Sequence, residues 1–255
     1  MPNLVVIAGP NGAGKSTAAP LLIGKRLGIA EFVNADVIAA GLSAFSPESV
    51  AFESGRIMLK RLDALAESGV DFAFETTLAS RSFAPWIARL RRERGYRFYL
   101  SFLWLPSAEM AVQRVAGRVR HGGHSVPPDH IRRRYERGLS NFFKLYAPIA
   151  DSWEMHENTS PPPVLIAMKD EGRPVHLARP ELWASIQGRM QTKEKDSAYE
   201  TGTEPRFAGV PISEVMAIFD QAGREALARH KALGIPVVIW RDGKVVEVPP
   251  EQIEV

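Results

Sequence analysis

The run Gly9-Pro10-Asn11-Gly12-Ala13-Gly14-Lys15-Ser16-Thr17 has the residue types and spacing needed to hold a polyphosphate. It fits G-x-x-x-x-G-K-[ST]. Glycines at these positions let the backbone wrap closely, so that successive N–H groups and the start of the next helix face phosphate oxygens. Lys15 then places a charge on the β and γ oxygens, and the Ser16 hydroxyl is the expected ligand of Mg²⁺. Nucleotide contacts are therefore expected from Gly9, Asn11, Gly12, Ala13, Gly14, Lys15, Ser16 and Thr17.

Two further places carry groups suited to an acceptor. Asn34-Ala35-Asp36 closes a short apolar run. A carboxylate there can take the proton of an attacking hydroxyl, or it can simply cap the helix that follows. Glu75 and Thr77 follow the apolar run Phe72-Ala73-Phe74. Glu75 needs a partner when it is ionised near a core: either an acceptor substrate, together with Thr77, or an arginine. Arginines are concentrated between Arg114 and Arg137, broken by Gly122-Gly123. Arg114 and Arg118 are four apart and share a helix face. A helix–loop–helix of cations beside a phosphate loop reads as a lid that clamps a transferring phosphoryl group. Part of the cluster is expected to be a solvated face. His121 and His124 have no third ligand at useful spacing for a metal.

These groups need a scaffold. Leu4–Ala8, Glu31–Val33, Phe72–Phe74, Phe98–Leu103 and Val164–Ala167 read as buried strands, with Asp151–His156 as a further one. Helical periodicity fills Pro47–Ser68, Phe83–Arg94, Ala108–Arg120 and His130–Tyr146. The alternation predicts an α/β fold, a P-loop kinase-like parallel sheet with helices on both faces. The phosphate loop follows a clean strand and precedes a helix, the context that such a motif requires. Asp36 and Glu75 would then stand at strand carboxyl ends, where ligands bind in sheets of this kind.

At 255 residues, 45% hydrophobic and 24% charged, the chain is long enough for one large domain or a domain with an appendage. The absence of Cys excludes a disulfide framework, a thiolate zinc site and a cysteine nucleophile, and fits a cytoplasmic protein. Lys and Arg number 32 against 29 Asp and Glu, too small an excess to imply a nucleic-acid partner. No apolar run approaches the ~20 residues of a membrane span, and no signal peptide is visible. A domain is expected over 1–190, a polar linker over 191–205 and a small module over 206–255. In that module a helical stripe leads to Arg241-Asp242-Gly243, a hairpin turn between two apolar runs. One helix and one hairpin cannot be stable alone and must pack on something.

Pro10-Asn11-Gly12-Ala13-Gly14-Lys15-Ser16-Thr17, Asn34-Ala35-Asp36, Phe74-Glu75-Thr76-Thr77-Leu78 and Arg118-Val119-Arg120-His121-Gly122-Gly123-His124 occur in that order. Together they resemble the zeta-toxin family of P-loop kinases over roughly residues 1–190. The resemblance implies an ATP- and Mg²⁺-dependent kinase. Many members phosphorylate the 3′-hydroxyl of the amino sugar of UDP-N-acetylglucosamine. It implies that Asp36 is the base, that Glu75 and Thr77 contact the sugar nucleotide, and that Asn158 borders the adenine. Arg118 and one of Arg133 and Arg134 would stabilise the transferred phosphate, with Arg134 in the catalytic place and Arg133 on the acceptor. Arg81, counted with the substrate contacts, stands two positions later than in the family's E-G-T-L-R. The C-terminal segment resembles small antitoxin-like partners of such kinases. That implies inhibition supplied in cis, against a plain structural extension. A kinase of another small hydroxyl compound or of a polynucleotide 5′ end, and a nucleotide-binding switch whose tail recruits partners, are the alternatives.

Overall fold

The computed structural model describes residues 1–123, 125–160, 162–190, 206–241 and 243–254. The expected linker over 191–205, His124 and Asp242 lie outside the described residues.

Seven strands form one sheet: β1 (Asn3–Ala8), β2 (Glu31–Val33), β3 (Phe72–Thr76), β4 (Arg97–Trp104), β5 (Ser152–Glu157), β6 (Val164–Lys169) and β7 (His176–Leu177). Their spatial order is β2-β3-β1-β4-β5-β6-β7. β2, β3, β1, β4 and β5 run parallel, with Ile7 beside Glu75 and Ala8 beside Thr76. β1, β3 and β4 are largely apolar runs, as central parallel strands must be, whereas β5 also buries Glu154 and His156.

β6 departs from the expected parallel order and pairs antiparallel with β5. The reason lies in the connection. Glu157 and Val164 are separated by residues 158–163, and a crossover to a parallel neighbour needs a dozen residues or more. The short β7 and the helix α7 (Pro180–Met190) are additional to the elements that periodicity predicts.

The helices are α1 (Lys15–Ala19), α2 (Ala35–Leu42), α3 (Ala51–Ser68), α4 (Phe83–Arg94), α5 (Ala108–Arg120), α6 (Pro128–Asn141), α7 and α8 (Ile212–Ala232). α1 gives way at Pro20 to a π-helical stretch, Pro20–Arg26. Proline has no N–H for the α-helical ladder, so the register has to change there. One core lies under α3, α4 and α6, with Phe72, Phe74, Phe98 and Phe142. The other lies under α1 and α5, with Val5, Ile7, Leu22, Leu103 and Val115.

The C-terminal residues join this second core. A two-stranded ribbon, β8 (Arg206–Phe207) with β9 (Val210–Pro211), precedes α8, and β10 (Val237–Arg241) pairs antiparallel with β11 (Lys244–Val248). Phe207, Val215 and Phe219 are buried among the α1–α5 residues, and the Phe207 ring meets Tyr99 at 5.9 Å. Burial of each phenylalanine contributes about 2–3 kcal/mol. A helix and hairpin that could not stand alone thus obtain a core. Beneath α8, His156 and Glu154 of β5 are buried and 3.3 Å apart, and the Phe219 ring lies 4.7 Å from the His156 ring. Among the described residues no helix is long and apolar enough to cross a membrane.

Candidate active site

The phosphate loop leaves β1 at Gly9, whose φ is +139°. A Cβ at this position would collide with the Leu103 carbonyl of β4, so only glycine lets the loop turn so close to the neighbouring strand. The Lys15 ammonium donates to the carbonyls of Gly9 and Pro10, both at 2.9 Å, and sits 3.6 Å from Glu75 Oε1. Burial pulls its pKa below the usual lysine range, while Glu75 and then Asp36 oppose that shift.

Glu75, at the end of β3, accepts hydrogen bonds at 2.8 Å from Ser16 Oγ and from Asn34 Nδ2. Its partners therefore include the phosphate loop and the end of β2. Adjacent parallel strands bring this about: β3 lies beside β1, so its terminal carboxylate faces the loop that β1 launches. The oxygen set of Ser16 and Glu75 fits a hard divalent cation such as Mg²⁺.

Asn34 also takes the capping place at α2. The Asn34 side chain caps α2, accepting from the N–H groups of Asp36 at 2.8 Å and Val37 at 3.4 Å. Asp36 is therefore not the cap. It stands in the first turn of α2, exposed, on the wall of a cavity of about 650 Å³. The same cavity is lined by Asn11, Gly12, Gly14, Lys15, Ser16, Thr17, Glu75, Arg118 and Asn158. Residues from the phosphate loop and α1, from α2, β3 and α5, and from the loop after β5 thus converge on one space.

Arg114 has a different place from its neighbours in the basic cluster. Its Nε donates to the Val238 carbonyl at 3.0 Å, Nη1 to Asn158 at 2.7 Å and Gly12 at 3.4 Å, and Nη2 to Thr159 at 2.8 Å. Burial without a carboxylate partner lowers its pKa to about 10. Asn158 in turn donates from Nδ2 to the Ala13 carbonyl at 2.8 Å. The other arginines divide. Arg118 lines the cavity. Arg120 pairs with Glu247 of β11 at 3.0 Å, and Arg132 pairs with Glu109 and Asp129. Arg81 and Arg133 are exposed and do not line the cavity.

Thr77 and Arg134 also lie off the cavity wall, and α6 packs against the Thr77 backbone. A Cβ on Gly138 would run into the Thr77 carbonyl, and Asn141 Nδ2 donates to the Leu78 carbonyl at 2.7 Å. Arg134 is one turn before Gly138, on the same helix face. Leu78 has φ of +55°, held by Asn141 and by its own N–H to Thr76 Oγ1 at 3.1 Å. α6 therefore fixes the segment after Glu75. Gly138→Ala is expected to push that segment away and lower kcat/KM on the order of 10- to 100-fold. Gly55→Ala in α3 meets nothing within 4 Å. It should leave activity intact and stabilise the chain by about 0.5–1 kcal/mol. Steady-state rates and thermal melts of both variants check the pair.

Sequence reasoning missed Asn34 as both cap and Glu75 partner. It also missed the cavity face of α8, formed by Phe219, Ala222, Gly223 and Ala226. The signal was present: small residues at positions that share one helical face.

A family model for "Zeta toxin" matches residues 1–150. An uncharacterized protein of Haemophilus influenzae is 25% identical over 133 residues, covering 51% of this chain and 91% of that protein. Among solved structures, the AvrRxo1-ORF1:AvrRxo1-ORF2 complex with sulphate ions is similar at 18% identity and a TM-score of 0.60, covering 88% of this chain and 76% of that one. The same pair with ATP gives 18% and 0.59, with the same coverage. A structure of the PezAT chromosomal toxin–antitoxin system of Streptococcus pneumoniae gives 14% and 0.53, covering 89% of this chain and 88% of that one. At these identities the structural likeness is one of fold.

Proposed function

The chain belongs to the zeta toxin family, a family of P-loop kinases, and on that footing we propose that it transfers the γ-phosphate of ATP to a hydroxyl of a small molecule in the cytoplasm, the acceptor being the amino sugar of UDP-N-acetylglucosamine. The observation that carries this reading is the convergence of Lys15, Ser16, Asp36, Glu75 and Arg118 on one cavity, with Asn34 leaving Asp36 out of the helix cap.

In the reaction, the acceptor hydroxyl gives its proton to the Asp36 carboxylate as its oxygen bonds to the γ-phosphorus. The bond from that phosphorus to the β–γ bridging oxygen breaks, and ADP leaves. Lys15 and Arg118 oppose the charge that spreads over the transferring group. Ser16 and Glu75 would hold Mg²⁺, which supplies charge neutralisation on the β and γ oxygens. Thr77, kept in place by α6, is a candidate acceptor contact, and Arg134 would act from the same helix. Arg81 and Arg133 would have to reach the acceptor from exposed positions.

The test is incubation of the purified chain with ATP, Mg²⁺ and a panel of sugar nucleotides, small alcohols and 5′-hydroxyl oligonucleotides, read by mass spectrometry. A mass gain of one phosphate on UDP-N-acetylglucosamine is expected. A gain on an oligonucleotide end, with binding that weakens steeply as salt rises, would replace the acceptor assignment. No phosphate gain on any hydroxyl would leave the nucleotide-binding switch.

A second reading concerns residues 206–255 as an antitoxin-like element in cis. Its support is position, since α8 and β10 border the nucleotide cavity. A tethered element acts at an effective concentration of roughly millimolar. Inhibition by occupancy, however, requires filling the cavity, and α8 and β10 leave about 650 Å³ open.

A further inference from the structure

We propose that α8 and β10 form the base-binding wall of the nucleotide site, taking the nucleobase and ribose of a nucleoside triphosphate whose phosphates lie on the Lys15 loop; this rests on the nucleotide-binding reading above. The cavity that begins at Lys15 and Ser16 continues without a break to Phe219, Ala222, Gly223 and Ala226 of α8 and to Pro236 and Val238 before and within β10. That end is largely apolar, with Arg229 and His230 also on its lining, while the loop end is polar, and the volume lies within the range of small-molecule sites, roughly 300–1,000 Å³. Ala222, Gly223 and Ala226 remove side-chain bulk from one face of α8 and leave a shallow slot suited to a planar ring. Phe219 beside them is buried and rests on the His156 ring, so its position is set from below.

The wall is fixed relative to the phosphate loop. The Trp240 N–H donates to the Thr159 carbonyl at 3.2 Å. Arg114 donates to the Val238 carbonyl with one nitrogen and to Gly12, Asn158 and Thr159 with the others. One guanidinium thereby joins the base end and the phosphate end of the cavity. Such a joint suits a site that must hold both ends of one ligand at a set separation. An element that comes and goes has no need of it.

The experiment uses the full chain and its Ala226→Trp variant, titrated calorimetrically with ATP and with inorganic tripolyphosphate. Ala226 is half-buried on the cavity face, so the indole fills the slot with little disturbance of the core. The wild-type chain should bind ATP more tightly than tripolyphosphate. In Ala226→Trp that advantage should shrink on the order of tenfold, the equivalent of about 1.4 kcal/mol. As a second measurement free of any variant, ATP but not tripolyphosphate should slow amide exchange over residues 219–239 of the wild-type chain. Wild-type binding of tripolyphosphate as tight as that of ATP overturns the wall alone. ATP binding that is unchanged or tighter in Ala226→Trp also overturns it, the tighter case being what displacement of an inhibitor gives. A wild-type chain that binds neither ligand overturns the nucleotide-binding reading itself.

Discussion

Asp36→Asn is expected to lower kcat by about 10²- to 10⁴-fold, the usual range for removal of a general base, while ATP binds as before. Asparagine keeps the size and polarity of the side chain. It also keeps α2 intact, because the cap is Asn34 and not residue 36. What it loses is the ability to accept the acceptor's proton. Lys15→Ala should instead lose both ATP affinity and turnover, since Lys15 belongs to the phosphate loop itself. Calorimetry with ATP and a turnover assay separate the two variants. An Asp36→Asn protein with undiminished turnover would return Asp36 to a passive place in the first turn of α2.

Arg114→Met should destabilise the chain by about 3 kcal/mol, lowering Tm by roughly 6–12 °C for a protein of this size. The guanidinium supplies hydrogen bonds to four carbonyls from three parts of the chain: Gly12, the Asn158–Thr159 loop and Val238. Methionine retains the stem and leaves the carbonyls without their donor. ATP affinity should fall with the melting temperature, because the loop after β5 and the hairpin lose their common anchor. Arg132→Met removes only exposed pairs with Glu109 and Asp129 and should barely move the melt. Scanning calorimetry of both variants provides the comparison. Equal, small shifts would mean that water replaces Arg114 without cost.

Much of the site was legible in the sequence because its chemistry is carried by short, contiguous motifs. The phosphate loop needs glycines at fixed offsets and a lysine beside a hydroxyl, and no packing detail alters that need. Asp36 and Glu75 were legible as candidate residues because each closes an apolar run. Their partners were not. Glu75 has two open pairings on paper, a substrate or an arginine, and the structure gives a third, Ser16 and Asn34. Those contacts depend on β3 lying next to β1, a choice of strand order that periodicity does not encode. The direction of β6 could have been read from its six-residue connection, since loop length limits topology locally.

The arginines show the same division. Composition and spacing identify a basic helix–loop–helix, but a cation looks alike on a string whether it faces solvent, a carboxylate or four carbonyls. Only burial distinguishes Arg114 from Arg132. What the sequence by itself determined is the phosphate-binding loop, the α/β alternation and the zeta-toxin membership of the chain. Each rests on short motifs or segments whose residues are close together in the chain, even where several such motifs are spread along it. What the tertiary structure decided is where the last fifty residues go. Phe207, Val215 and Phe219 have no core of their own and so pack into the one beneath α1 and α5. That long-range burial sets α8 and β10 along the cavity, a placement that no spacing within 206–255 specifies.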